Sequence, residues 1–476
     1  MRLTVEALTP VEVENIHGLT VEILGSGGLS FNSPEALEIF KKRGCKVDGA
    51  RVTFTPAEIE EALKSAPQEF KMVSRNPARA LDVGPGHPPA LLAASGVPMI
   101  IGEAGDKLPV DFDDYKNMLR LTQTSPVLNM ANSGALYPTH ADPETALRLQ
   151  IYLTLVMTDM PLVAQTEGTR LSKLSLDMAR AAAGTDDPDR PVVAGICNSL
   201  SPMAWDARML EGIKSYAELG QPLNISCCAM CGATAPVFLS GAVLEANCEV
   251  LGGIIYSQLV RPGAPVVYGT TSSVMDMASM GLSLGTPEYS LVSAGCAAMA
   301  RRYRLPYRSG GGLTDSKSLD AQAGLESAWN ILLSLASGVN FMLQSVGVLE
   351  SYMSAGFDKW VFDEEIILRA RRMLGGLGEI PAGLPETIAE GVAEGGFLKL
   401  KSTLKNFRKQ FYRPTLGDRR SFDARRDAGT TIRDDAWAVV KRRLREYELP
   451  GLDKTAKKEL DRLFAEAAGC PPPTVE

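Results

Sequence analysis

Short apolar runs recur along the middle of the chain. Each is followed by a polar or glycine-rich turn and then by a longer amphipathic run. The runs at 127–135, 162–166, 192–197, 223–229, 266–269, 307–310 and 339–344 predict strands. The intervening stretches at 143–158, 203–219, 237–259, 288–303 and 319–336 predict helices. The strand runs are continuously apolar rather than alternating, as expected of strands covered on both faces. Strands alternating with helices indicate βαβ units and a parallel sheet. An eighth strand belongs either within 90–101 or after Val346. Seven or eight such units in about 250 residues predict an α/β fold, a closed (β/α)8 barrel of the TIM type.

The flanks differ from this core. Thr9-Pro10-Val11-Glu12 and Thr55-Pro56-Ala57-Glu58 each combine a cap residue, a Pro and an early acid, which predicts a helix start. Short apolar runs broken by Pro and Gly over 71–110 predict hairpins. Residues 364–476 are helical in pattern, strongly charged and rich in Arg, either as a docking face or as the solvated side of ordinary helices. The expected division is a helical and hairpin preface over 1–110, a barrel over 111–363 and a charged helical extension over 364–476.

Composition narrows the function. The chain has 476 residues, 45% of them hydrophobic and 22% charged, enough apolar surface to fold. Its 49 basic and 56 acidic residues give a net charge of −7, which argues against a nucleic-acid partner. The apolar stretch 237–259 carries Glu245 and Glu249 and reads as a buried helix, so no membrane span is expected. Met1–Gly18 has acids and no apolar core of a signal peptide, which predicts a cytoplasmic protein. Eight cysteines and three histidines supply a zinc site poorly, although Cys228-Ala-Met-Cys231 has CxxC spacing; no metal site is expected. No Gly-rich dinucleotide or phosphate loop follows a strand, and Gly310-Gly311-Gly312 lacks the Lys of one.

A barrel places its chemistry at the carboxyl ends of its strands. Those ends read Asn132-Ser133-Gly134, Gln165-Thr166-Glu167-Gly168, Asn198-Ser199, Cys227-Cys228, Tyr268-Gly269-Thr270-Thr271, the segment 311–317, and Gln344. They are amide, hydroxyl and glycine rather than histidine and carboxylate, which disfavours a metallohydrolase. A Schiff-base lyase would need a lone lysine, and Lys317 is the nearest one. Aromatic residues recur near the same ends, and aromatic faces attract quaternary ammonium ions.

A set of short motifs adds to this. Gly263-Ala264-Pro265-Val266-Val267-Tyr268-Gly269, Asp276-Met277 and Gly285-Thr286-Pro287-Glu288-Tyr289 occur in order. Ala300-Arg301-Arg302-Tyr303-Arg304-Leu305-Pro306, Thr314-Asp315-Ser316-Lys317 and Asp320-Ala321-Gln322-Ala323-Gly324 follow. Leu349-Glu350, Asp363-Glu364-Glu365-Ile366 and Tyr412-Arg413-Pro414-Thr415-Leu416-Gly417-Asp418-Arg419 complete the set. In order and spacing this chain resembles the trimethylamine methyltransferase superfamily over most of its length.

The resemblance implies a barrel that passes a methyl group from a methylamine or quaternary amine to the Co(I) corrinoid of a separate small carrier protein. No cofactor would be held permanently by this chain, and the barrel is expected to self-associate into a homo-oligomer. Members that use trimethylamine carry pyrrolysine; this sequence has none, which implies a quaternary amine, glycine betaine first, with proline betaine and carnitine as alternatives. The chemistry agrees, because a quaternary ammonium already carries a neutral amine as leaving group. Asp315, Gln322 and Glu350 are the candidate catalytic polar residues. Tyr268, Tyr289, Phe341 and Tyr352 are candidates for a cation cage, and Arg308 or Lys317 for a carboxylate contact. Two features depart from the family: Ser402 and Asn406 stand where histidines are expected, and 345–351 contains no histidine. A lyase using Lys317 and a non-catalytic betaine-binding scaffold are the alternatives.

Overall fold

The computed structural model describes residues 3–140, 142–166, 168–187 and 189–475. Its centre is a ring of parallel strands: β1 (Ala90–Leu91), β2 (Ala131–Asn132), β3 (Leu162–Val163), β4 (Val193–Asn198), β5 (Leu223–Cys227), β6 (Val266–Thr270), β7 (Tyr307–Gly310) and β8 (Phe341–Leu343). Neighbours follow chain order from β2 to β8, and β8 pairs with β1. The ring closes where Leu91 O accepts from Asn129 N at 3.2 Å and Met130 N at 3.4 Å. A helix follows each strand: α1 (Phe112–Gln123), α2 (Pro143–Met157), α3 (Gly168–Ala183), α4 (Ala207–Glu218), α5 (Leu239–Val260), α6 (Pro287–Tyr303), α7 (Ala321–Ala336) and α8 (Phe357–Leu374). This is the (β/α)8 barrel that the sequence pattern predicts.

The eighth strand is β1, inside the 90–101 window. The barrel therefore begins before the boundary expected at 110/111, and α8 runs past the one expected at 363/364. The segment after Val346 forms a different sheet. There Val348–Leu349 and Ser354–Gly356 join the hairpin Met99–Ile101 and Lys107–Pro109, with Ser354–Gly356 parallel to Met99–Ile101. This sheet ties the loop after β8 to the loop after β1.

Both predicted amino-terminal helix starts form. Thr9 and Glu12 cap Pro10–Ser26 reciprocally, and Thr55 and Glu58 cap Pro56–Ser65 in the same way. The hairpin of Phe70–Met72 and Leu81–Val83 covers the amino-terminal end of the barrel. Val73 N donates to Pro191 O just before β4, and Asn340 Nδ2 donates to Gly84 O just before β8. Phe70, Met72 and Val83 pack with Ala90, Val163, Ala194, Val267 and Phe341 in one apolar cluster, so the lower barrel is a packed core.

The carboxyl-terminal extension is held by the acids of α8. Asp358 accepts from Arg433 Nε at 2.8 Å. Glu364 accepts from Arg443 Nη1 at 2.6 Å, Ser125 Oγ at 2.7 Å and Trp360 Nε1 at 3.1 Å. Glu365 accepts from the backbone and hydroxyl of Thr415 at 2.8 and 2.7 Å. Arg443 and Arg433 thus bind the barrel, whereas Arg419 and Arg442 are exposed. Removing one partner of a buried ion pair leaves the other charge uncompensated, at a cost of about 3–5 kcal/mol. Arg443→Ala should therefore loosen Ile432–Glu446, read as accelerated limited proteolysis there, whereas Arg442→Ala should have no effect.

Candidate functional site

The inner wall of the barrel changes chemistry with height. Below it is apolar. Above, alternate residues of β5, β6 and β7 present Asn224, Ser226, Gly269 and Arg308, with Ser226 paired to Gly269 and Gly269 to Arg308 across the ladder. A Cβ on Gly269 would lie 2.0 Å from Ser226 Oγ and 3.2 Å from Arg308 Cδ. Glycine at 269 is thus what lets the two side chains share the lumen.

Arg308 is 3% exposed. Its Nη2 donates to Gln344 Oε1 at 3.2 Å. Its Nε and Nη1 are buried without a hydrogen-bond partner, and no carboxylate pairs with it among the described residues. Asn224 Oδ1, Ser226 Oγ and the Tyr352 hydroxyl are also buried and unpartnered. Orphaned buried polar groups are rare in folded proteins, and an unpaired buried guanidinium is the most expensive kind. Arg308, Ser226 and Tyr352 together form a cradle of donors for a group that is anionic and accepts hydrogen bonds, while Asn224 Oδ1 offers an acceptor lower in the lumen.

Two tyrosines wall this cradle. Tyr289, from α6, accepts from Gly310 N–H at 2.9 Å, which leaves its own proton to donate. Tyr352 lies near Arg308, Tyr289 and Cys228. Burial pushes Tyr289 up to about 12 and Tyr352 up as well, so both stay neutral donors. Tyr352 sits in an unusual loop. Glu350, Ser351 and Tyr352 all have positive φ, at 51°, 50° and 81°, and Gln344 has φ 48°. Such conformations in non-glycine residues cost on the order of 1–3 kcal/mol each and persist only where neighbours impose them. Here Glu350 N donates to Ser316 O at 2.8 Å and Ser351 N to Thr314 O at 3.0 Å. The Ser351 hydroxyl donates to Asp315, which also accepts from Leu284 N at 2.8 Å. Lys107 Nζ donates to Glu350 at 2.5 Å.

The structure therefore brings together Tyr289, Arg308 and Tyr352 of the sequence-predicted residues, with Asp315 and Glu350 bracing the loop behind them. The others lie elsewhere. Tyr268 points outward from β6 into the helical layer, where its hydroxyl donates to Asn247 Oδ1 at 3.0 Å. Phe341 is the ladder partner of Arg308 on β8, yet it packs into the apolar cluster that fills the lower lumen. Gln322 is exposed and donates to Glu326 at 2.8 Å. Lys317 is exposed and donates to Asp315 O at 2.7 Å, so the lyase reading loses its inward lysine. Glu167 lies outside the described residues. Asn224 and Ser226 were not singled out from sequence, although polar residues alternating within the apolar run Leu223-Asn224-Ile225-Ser226-Cys227 mark them.

Behind β5, Glu249 of α5 organises the loop after β4. It accepts from Ser201 Oγ at 2.8 Å, Met203 N at 2.7 Å and Cys227 Sγ at 3.0 Å, and from the Ser199 hydroxyl. Glu245, one turn earlier and 9% exposed, has one carboxyl oxygen with no partner. Burial and the neighbouring Glu249 carboxylate raise it to about 7. No three of His, Cys, Asp and Glu converge as a metal site among the described residues, Cys228 and Cys231 included.

A closed (β/α)8 barrel with a polar cradle at the carboxyl ends of its strands defines an enzyme of the TIM-barrel class. The family model for trimethylamine methyltransferase matches residues 2–467, and the chain belongs to that family. It is 36% identical over 464 residues to the glycine betaine methyltransferase of Desulfitobacterium hafniense, spanning 96% of each chain. It is 31% identical over 470 residues to the proline betaine:corrinoid methyltransferase of Eubacterium limosum, again spanning 96% of each. The trimethylamine methyltransferase MttB of Desulfitobacterium hafniense is 31% identical over 405 residues, 84% of this chain and 81% of that one.

Glu245 generates a pH prediction. Its pKa in the fold, about 7, is above the usual 4.5, so the folded state holds a proton that the unfolded chain releases. That stabilisation is complete below pH 4.5 and is lost as pH rises through 7. Glu245→Gln stays neutral and escapes the loss. Its melting temperature should match wild type near pH 4 and exceed it near pH 8 by about 2–3 °C, for on the order of 2–3 kcal/mol.

Proposed function

We propose that this chain transfers a methyl group from glycine betaine to the corrinoid of a separate carrier protein. The observation that carries this reading is Arg308, a buried guanidinium with two unpartnered nitrogens at the reactive end of a barrel. A betaine supplies the missing carboxylate; trimethylamine does not. Charge-assisted, bidentate contact is what an arginine fork does best. The ring faces of Tyr289 and Tyr352 suit the quaternary ammonium end of the same molecule.

The corrinoid, reduced to Co(I), supplies the nucleophile. The chain's own residues bind and orient. Arg308 and Gln344 fix the carboxylate, the tyrosines hold the cation, and one methyl is left toward the mouth. Holding reactants in line and dry replaces acid–base chemistry, because the departing amine is already neutral. Large apolar side chains are exposed in loops that follow β4, β5, β6 and β8, among them Leu200, Phe238, Met277, Met280 and Met353. They ring the mouth and suit docking of a carrier that presents a broad, flat macrocycle. A further exposed set over 377–422, including Leu377, Ile380, Val392 and Phe422, supports self-association into a homo-oligomer.

The test is the absorbance change of a reduced corrinoid carrier on mixing with enzyme and each of glycine betaine, proline betaine, carnitine and trimethylamine. Glycine betaine should react fastest. Arg308→Lys keeps the charge but loses the fork, and kcat/KM for glycine betaine should fall roughly 30-fold or more, the equivalent of about 2 kcal/mol or more. Reaction with trimethylamine alone would refute the reading, and an inert panel would leave the scaffold alternative standing.

A further inference from the structure

The braced loop after β8 is more than a wall. Its three successive positive-φ residues carry Tyr352, and the hydroxyl at its tip is buried without a hydrogen bond of good geometry, Thr271 being the polar side chain within its reach. Arg308 lies within electrostatic reach. A neutral hydroxyl donor next to an unpaired guanidinium complements the second oxygen of a carboxylate. The adjoining residue, Ser351, is tied to Asp315, and Asp315 is fixed in turn by Leu284 N at 2.8 Å. Leu284 lies in the loop after β6, Asp315 in the loop after β7 and Ser351 in the loop after β8. One carboxylate oxygen thus pins three consecutive loops together directly behind the tyrosine.

We propose that Tyr352 is a specificity-determining residue that donates its hydroxyl to the substrate carboxylate beside Arg308, and that Asp315 is a positioning residue acting on it through Ser351. This rests on the reading of Arg308 as the carboxylate anchor. It assigns Tyr352 a polar role toward the anionic end of the ligand, in addition to any contact of its ring with the cation. It also moves Asp315 from the reaction itself to the support of a binding group.

Binding measured by calorimetry on the full chain, without carrier protein, tests this independently of turnover. Tyr352→Phe should weaken glycine betaine roughly tenfold or more, the scale of a lost hydrogen bond to a charged group, while tetramethylammonium, which has no carboxylate, should bind both proteins equally. Asp315→Ala should weaken glycine betaine by a similar factor. Asp315→Asn keeps the accepting oxygen and should restore most of it. In the Tyr352→Phe background, Asp315→Ala should add little, because both changes remove the same contact. Full additivity of the two would overturn the positioning role. Equal loss of tetramethylammonium binding in Tyr352→Phe would overturn the carboxylate role. Should Asp315→Ala fail to fold, Ser351→Ala cuts the same link and carries the same expectations. Failure of the underlying reading looks different: Arg308→Lys would then bind glycine betaine as tightly as wild type.

Discussion

A guanidinium buried without a counter-ion is the constraint around which the upper barrel is built. Desolvating Arg308 is unfavourable, and a single amide contact from Gln344 at 3.2 Å does not offset it. The surrounding choices follow. Gly269 has no side chain because any would collide with Ser226 and crowd Arg308. Tyr289 stays neutral through burial, so no negative charge settles beside the arginine and quenches it. The polar groups nearby remain unbonded rather than pairing with one another. Stability given up there is held in reserve for a ligand, a common pattern where binding sites depart from the rules of ordinary packing.

The lower barrel and the outer layers supply the rigidity that this arrangement needs. The apolar plug that includes Phe341 leaves the polar cradle nowhere to collapse. On the outside, α8 carries Asp358, Asp363, Glu364 and Glu365, and each meets a different cation or donor. Asp363 is tied to Lys359 in a wholly buried pair and accepts from Gly347 N at 2.8 Å, within the loop that leads to Tyr352. The helix that secures the tail therefore also steadies the site loop from behind.

Much of this was legible in the sequence. The alternation of apolar and amphipathic runs located five of the eight barrel helices and seven of the strands, because burial on both faces leaves a strong signature. Thr9 and Thr55 announced their helices through side-chain chemistry that is local and so independent of the fold. Which way a strand residue points was not legible from a continuously apolar run. Tyr268 and Arg308 both looked like strand-end residues, yet they face opposite sides of the barrel. Phe341 failed for a related reason: it is the ladder partner of Arg308, but its ring joins the apolar core rather than the cradle, a choice set by packing across the lumen. The bracing of Tyr352 by Asp315 depends on contacts between loops, which no local pattern encodes.

The small sheet that joins Met99–Pro109 to Ser354–Gly356 bears on how the protein is made. Its first hairpin leaves the ribosome some 250 residues before its partner strand does, at the scale of one whole barrel. Until then Met99–Ile101 presents an open strand edge, the kind of surface that invites pairing with other chains. The ring of strands likewise stays unclosed, since β1 must wait for β8. Closure of the barrel is therefore late and demanding: β8 and the strand after it arrive, seal the edge and assemble the site together, with only α8 and the carboxyl-terminal extension still to follow. A chain that stops short of Gly356 is not a smaller version of the enzyme but an open sheet with an exposed seam.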